Sequence, residues 1–405
     1  MSSLKDRMNK KKQALSGGGG MDDAKASMKE HLSKRKEKAE EKASSLRERM
    51  KSKALEKEDD DDDEEEEVDD AELAAAIDEA KERFEDLVKR VQMTDIVKET
   101  VSLGNKIEGL PESIDGVRSR GYKFRSYLEN KIDVMAEQWD TVNDRIELWL
   151  DEESAELDDE LADAEKAHQR LSSRASQRRL DKLVAALDTL ETQVEASEEK
   201  IKALYNEVNR EMSTTANQLA QINKQLDWLE AADVELNAGE GLFIAAEAEY
   251  DDNRDKPDGF IYVTDQRIIF EQNEKKGGML GFGGKNVKEV LWEVSHDQVE
   301  KVVPANEGFG GGKDMMTLKL GSGAPYSEIT CEIKGGIEAD YWAQQVNRAA
   351  KGLISQESAV EPDPELIERL QNAPTECPNC GGVLDKLAAG ANEVTCKYCG
   401  NVVRI

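Results

Sequence analysis

Histidine is scarce in this chain, with three among 405 residues, and there are only five cysteines and eight prolines. The one adjacent pair suited to acid–base chemistry is His296 with Asp297, and no nucleophile or oxyanion loop accompanies it. It reads as a turn residue. Aromatic residues make up 5% of the chain, too few for one large core and better suited to long helices and tails. No apolar run approaches the about 18 residues that a membrane span needs. The first twenty residues lack the apolar segment of a secretory leader. Positive charge is also short, with 56 Lys and Arg against 87 Asp and Glu, a net charge of −31. A phosphate-dominated partner is therefore disfavoured. Glycine and proline are missing altogether between Tyr122 and Leu236.

What fills that stretch is a helical repeat. Leu183, Leu187, Leu190, Val194, Ile201, Leu204, Val208, Met212, Thr215, Leu219, Ile222, Leu226 and Leu229 recur at steps that are mostly three and four. Such steps place about one residue per turn on one stripe, which must be covered by another helix. The expectation is a coiled coil, about 170 Å long if unbroken. Asp151–Glu160 and Ser172–Arg179 are the polar places where it could instead fold into a hairpin. His168 falls on the seam, where a polar residue sets register. Upstream, Leu73, Ile77, Ala80, Phe84, Leu87 and Val91 form a helical stripe expected to end before Gly104. Pro111 is expected to open the next helix, whose early stripe holds Phe124, Leu128, Met135, Trp139, Val142 and Ile146. The first helix is then too short to cover the leucine seam, and self-association follows as the expectation.

Residues 1–70 are basic and then acidic, with Asp59–Glu67 an unbroken acidic run. Such blocks cannot bury enough apolar surface to fold, and disorder is expected. After Gly239 the pattern changes to alternation. Strands are expected at 243–248, 259–263 and 267–270, around Val290–Val294, at 299–303, and around Met316–Leu320 and Ile329–Ile333. A closing helix carries Trp342, Val346, Ala349 and Leu353. Together these describe a small, bent antiparallel sheet plugged by a helix. The run Gly-Phe-Ile-Tyr-Val-Thr-Asp-Gln-Arg-Ile-Ile-Phe, Gly259–Phe270, resembles the strand–turn–strand of bacterial pleckstrin-homology-like and GRAM domains. The resemblance covers about residues 239–354. It implies a module that binds lipid head groups or proteins. The loop that is basic in lipid-binding members is here Asp251-Asp252-Asn253-Arg254-Asp255. Lys275, Lys276, Lys285 and Lys288, flanking a glycine-rich tip, are the one cluster that could meet an anionic membrane. Arg267 is expected to hold the sheet together.

The strongest local signal is Cys377-Pro-Asn-Cys380-Gly with Cys396-Lys-Tyr-Cys399-Gly, fifteen residues apart. Two such knuckles bring four thiolates into a tetrahedron about 2.3 Å from Zn²⁺. The glycines allow the tight turns that point backbone N–H groups at sulfur. The pattern resembles a rubredoxin-type zinc ribbon over 374–405. One structural Zn²⁺ is expected, held by Cys377, Cys380, Cys396 and Cys399, with a reducing compartment to match. Cys331 alternates with core residues and reads as a buried thiol. Gly308–Lys313 lacks the serine or threonine of a phosphate loop and is rejected.

The expected fold is thus multidomain α + β. It has a disordered tail (1–70), a helical coiled-coil region (71–236), the sheet module (239–354), a linker (355–373) and the ribbon (374–405). No catalytic residues are identified. The expected function is a non-enzymatic, cytoplasmic scaffold or adaptor that forms homo-oligomers and recruits an unidentified protein. The alternatives are peripheral docking at the inner membrane face and, more remotely, nucleic-acid binding through the ribbon.

Overall fold

The computed structural model describes residues 70–252, 255–276, 285–308, 312–359, 372–387 and 393–404. The expected disordered tail and the glycine-rich tip lie outside the described residues. The described part is a mixed α and antiparallel-β protein. Its described residues divide into two compact units: 70–111 with Lys131–Thr215, and Glu112–Asn130 with 216–404. Four long helices run through it: α1 (Asp70–Arg90), α2 (Thr94–Ser119), α3 (Tyr127–Ser173) and α4 (Gln177–Ala231).

In the first unit the leucine stripe of α4 is already covered. Leu183, Leu187, Leu190, Val194 and Ile201 are fully buried within the single chain. The long helix is broken at residues 174–176, inside the polar stretch where a bend was the alternative. The break lets α3 return along α4. Lys200 donates to Glu153 at 3.1 Å, and Lys131 pairs with Glu211 at 2.9 Å. The helix α1 runs alongside α4, with Arg83 donating to Glu191 and Arg90 to Glu198. His168 stacks on Phe84 with ring centroids 4.4 Å apart. Burial holds its imidazole below the ordinary value, with nearby Lys81 adding to that effect.

This corrects the expectation of an uncovered seam and removes the reason given for a homo-oligomer. The error lay in the boundaries: one helix was expected from near Ala71 to before Gly104 and another from Pro111, whereas the chain breaks at residues 91–93 and α2 starts at Thr94. It continues through Gly104, Gly109 and Pro111, so α1 and α2 together supply enough helix. Gly104 is there for packing: an added Cβ would lie 3.0 Å from Nε1 of Trp139 on α3. Pro111 forfeits one helical hydrogen bond, but it shares a buried stripe with Ile107, Leu110, Ile114 and Val117.

The second unit begins with the end of α2 and the turn into α3. Arg118 donates to the carbonyls of Tyr122 and Phe124 at 2.8 and 2.7 Å and pairs with Glu129. It thereby satisfies backbone acceptors of the turn between α2 and α3. Arg120 reaches Asn223, Asp227 and Glu230 on α4.

Seven antiparallel strands follow: β1 (Leu242–Asp251), β2 (Asp258–Thr264), β3 (Arg267–Lys276), β4 (Lys285–Ser295), β5 (Val299–Glu307), β6 (Lys313–Leu320) and β7 (Glu328–Ile333). Their order in the sheet is β4-β3-β2-β1-β7-β6-β5. The helix α5 (Ala339–Ala350) packs on β5 and β6 through buried Trp342, Val346 and Ala349. Asp314 accepts a hydrogen bond from the Ala339 N–H at 3.0 Å and so caps that helix. Seven strands and one closing helix are what the sequence pattern predicts. The helix is shorter than expected, because Gly352 turns the chain at φ 68° and leaves Leu353 exposed.

One strand departs from alternation. Leu242 to Ala246 on β1 are all buried, because both faces of the sheet are covered there. Phe243 meets Phe124 edge-on at 5.4 Å. On β2, Tyr262 donates to the Trp228 carbonyl of α4 at 3.2 Å.

Candidate metal centre

The ribbon is built from two short hairpin turns. In the first, the Gly381 N–H bonds the Cys377 carbonyl at 2.8 Å, and in the second Gly400 does the same to Cys396 at 2.8 Å. Gly381 and Gly400 adopt φ of 69° and 72°, a left-handed conformation that costs glycine nothing. Behind each turn the first cysteine's N–H bonds a carbonyl beyond it, Cys377 to Gly382 at 2.7 Å and Cys396 to Asn401 at 2.8 Å. The second turn is closed by β8 (Glu393–Thr395) paired with β9 (Val402–Arg404). Gly382 makes room for a ring, since a Cβ there would fall 2.4 Å from Tyr398.

These turns bring the Sγ atoms of Cys377, Cys380, Cys396 and Cys399 within 4.8 Å of one another. Cys377 and Cys399 are separated by 3.7 Å, and Cys380 and Cys396 by 3.6 Å. Four thiolates about 2.3 Å from a tetrahedral zinc would stand about 3.8 Å apart. The observed edges match that figure, and the donor set can hold a metal ion. Backbone N–H groups of Asn379 and Cys380 point at Cys377. The Asn401 N–H, and then the Asn379 side chain, draw the Cys399 thiol down to about 6.

Two asparagines were not singled out from the sequence. Asn379 Nδ2 donates to Cys399 Sγ at 3.6 Å, and Asn401 Nδ2 lies 3.9 Å from Cys377 Sγ. Each crosses from one knuckle to a sulfur of the other. The only signal for them was an amide side chain inside or just after a knuckle. The ribbon is also tied to the rest of its unit: the Ala238 N–H donates to the Leu387 carbonyl at 2.7 Å.

The four lysines share the β3–β4 hairpin, with Lys276 opposite Lys285 in the ladder, and the described ones are partly engaged. Lys276 pairs with Asp255 at 2.6 Å and with Glu274 at 3.3 Å. Lys288 pairs with Asp233 at 3.2 Å and reaches the Ala231 carbonyl. Lys275 is exposed, and the side chain of Lys285 lies outside the described residues. Around the ribbon, Lys397 pairs with Asp385 at 2.9 Å and Arg404 with Glu393 at 3.5 Å. Arg267 holds Glu240 bidentately at 3.0 and 3.1 Å and also reaches Glu293, the structural role expected of it. His296 is buried, with Nε2 2.8 Å from the Thr264 carbonyl. Burial lowers its pKa. Cys331 is buried as expected, and burial pushes its thiol well up.

No protein-family model matches the chain, and no curated protein matches it. Several solved structures are similar. One is the "Vps36 N-terminal PH domain", 16% identical, covering 29% of this chain and 83% of that one, with a TM-score of 0.21. Another holds the DH/PH domain of human ARHGEF11 in a complex with human RhoA, 12% identical, covering 84% and 97%, with a TM-score of 0.26. A third is Vav1 with an allosteric inhibitor said to block GEF activity, 12% identical, covering 82% and 93%, with a TM-score of 0.22. At such scores they carry no argument about this chain's activity.

One sequence expectation is withdrawn all the same, without assigning an activity in its place. The lack of an assembled active site in the sequence points away from an enzyme. Neighbours of this kind include guanine nucleotide exchange factors, and the exclusion does not stand. An activity exerted through a protein surface leaves no nucleophile–base signature in a sequence.

Proposed function

We propose that the chain is a protein-binding adaptor of the cytoplasm that displays a pleckstrin-homology-like, GRAM-type module beside a rubredoxin-type zinc ribbon. The observation that supports this most directly is the four-sulfur cluster. Four thiolates saturate a tetrahedral zinc, so the ion is structural and its binding energy goes into folding, on the order of 10 kcal/mol. The cysteines also share a unit with the sheet module, to which the Ala238–Leu387 bond ties the ribbon. Two of the four lysines proposed for a membrane are engaged in ion pairs, which favours a protein partner over a lipid surface.

Three measurements test this. Plasma mass spectrometry of the purified chain should find one zinc per chain, and Cys396→Ser should reduce it to background. Capture with the full chain should retain a defined protein that the zinc-free variant retains less well. Flotation with anionic vesicles at low salt should show no binding. Vesicle binding without protein capture would reverse the assignment.

A further inference from the structure

The turn between α3 and α4 is out of character for so acidic a protein. Residues 166–182 hold Lys166, Arg170, Arg174, Arg178, Arg179 and Lys182 against a single acid, Asp181. Arg170, Arg174 and Arg178 are exposed. Arg179 acts locally: its Nη1 donates to the carbonyls of Arg170 and Arg174 at 3.0 and 3.3 Å and closes the end of α3. The first turn of α4 has no acidic residue. Of the two arginines there, Arg179 is committed to the α3 carbonyls, and Arg178 stands at the positive end of the helix dipole.

We propose that this turn is the docking site of the chain's own acidic segment, the residues that run into α1. Residues 56–70 carry thirteen carboxylates and one lysine. The geometry of α1 brings that segment to the turn. Arg83 reaches Glu191 and Arg90 reaches Glu198, both at a separation of 108 residues. Two helices of equal rise keep that offset along their length. Carried back to the start of α1, it sets Asp70 level with Arg178, to within about a turn. The acidic run therefore joins α1 at the height of the turn, and its length must carry it round to the arginines. Its last seven residues can extend about 23 Å, enough to cover Arg170, Arg174 and Arg178. Tethering gives the run an effective concentration of about a millimolar or more, an advantage over anions in solution. The lysine-rich residues 2–53 adjoin the far end of the same run and are its competing partner.

The test is zero-length carbodiimide coupling in the full chain, read by peptide mass spectrometry. Cross-links are expected from carboxylates 60–69 to Lys166 and Lys182. They should fall about tenfold in Arg174→Glu/Arg178→Glu and in 0.5 M salt, and persist in Arg174→Lys/Arg178→Lys. Helix content and thermal unfolding of each variant guard against misfolding. Three results would overturn the proposal. Cross-links confined to lysines of residues 2–53 would make that arm the occupant. Cross-links between differently isotope-labelled chains would make it a second copy. Cross-links indifferent to salt and to charge reversal would mean proximity without docking.

Discussion

Glu271 shows how a single residue can carry an electrostatic cost inside this fold. Its side chain is fully buried on β3, at a bulge between Phe270 and Glu271. One oxygen accepts the Asp233 N–H at 2.5 Å beyond the end of α4. Burial raises its pKa, against the pull of that N–H and of Lys288. A carboxyl whose folded pKa is raised favours the folded state below the unfolded value near 4.5. That contribution is lost as pH climbs through the folded pKa. Glu271→Gln keeps an acceptor for Asp233 and removes the buried charge. At pH 7 it should raise the unfolding temperature of its unit by about 2–4 °C, as ~1 kcal/mol does in a unit of about 200 residues, with the gain shrinking towards pH 4. Asn379 is the other residue to probe. Truncation to alanine removes its amide from Cys399 and should weaken metal binding about 10-fold in a chelator competition. The four cysteines were legible from spacing alone. Glu271 was not, because a glutamate in a strand looks like a solvent-facing residue until both faces are covered.

The helices show what residue pattern conveys and what it misleads about. The stripe of α4 was legible, and the polar stretch that interrupts it was named as a place to bend. The continuity of α2 was not. Gly104, Gly109 and Pro111 are ordinary stop signals, and packing overrode them. The two glycines should answer differently to substitution. Nothing lies within 4 Å of a Cβ added at Gly109, so Gly109→Ala should stabilise the chain by about 0.5–1 kcal/mol. Gly104→Val would press on Trp139 and should cost about 1–3 kcal/mol. Chemical denaturation followed by tryptophan emission reads both. The sheet was legible wherever one face meets solvent. It was least legible at Leu242–Ala246, where five buried residues in a row carry no period.

For the molecule as a whole, burial of the leucine seam changes what association should look like. Light scattering at micromolar concentration should give the mass of one chain. A stable larger species would require a different contact, since Leu183, Leu187, Leu190, Val194 and Ile201 have no surface left to offer. Sequence periodicity could establish that the stripe needs a cover. It could not say whose helix provides it, because a hairpin and a dimer satisfy the same repeat.

The amide of Ala238 is held by a carbonyl that belongs to the ribbon, so it should report on the metal from outside the cluster. Stripping the ion with a chelator should speed deuterium uptake at that position, while the buried centre of β2 at Tyr262 stays slow. The ribbon would then work as a clasp that is fastened only while loaded, and metal supply would set how firmly the entrance to the first strand is pinned.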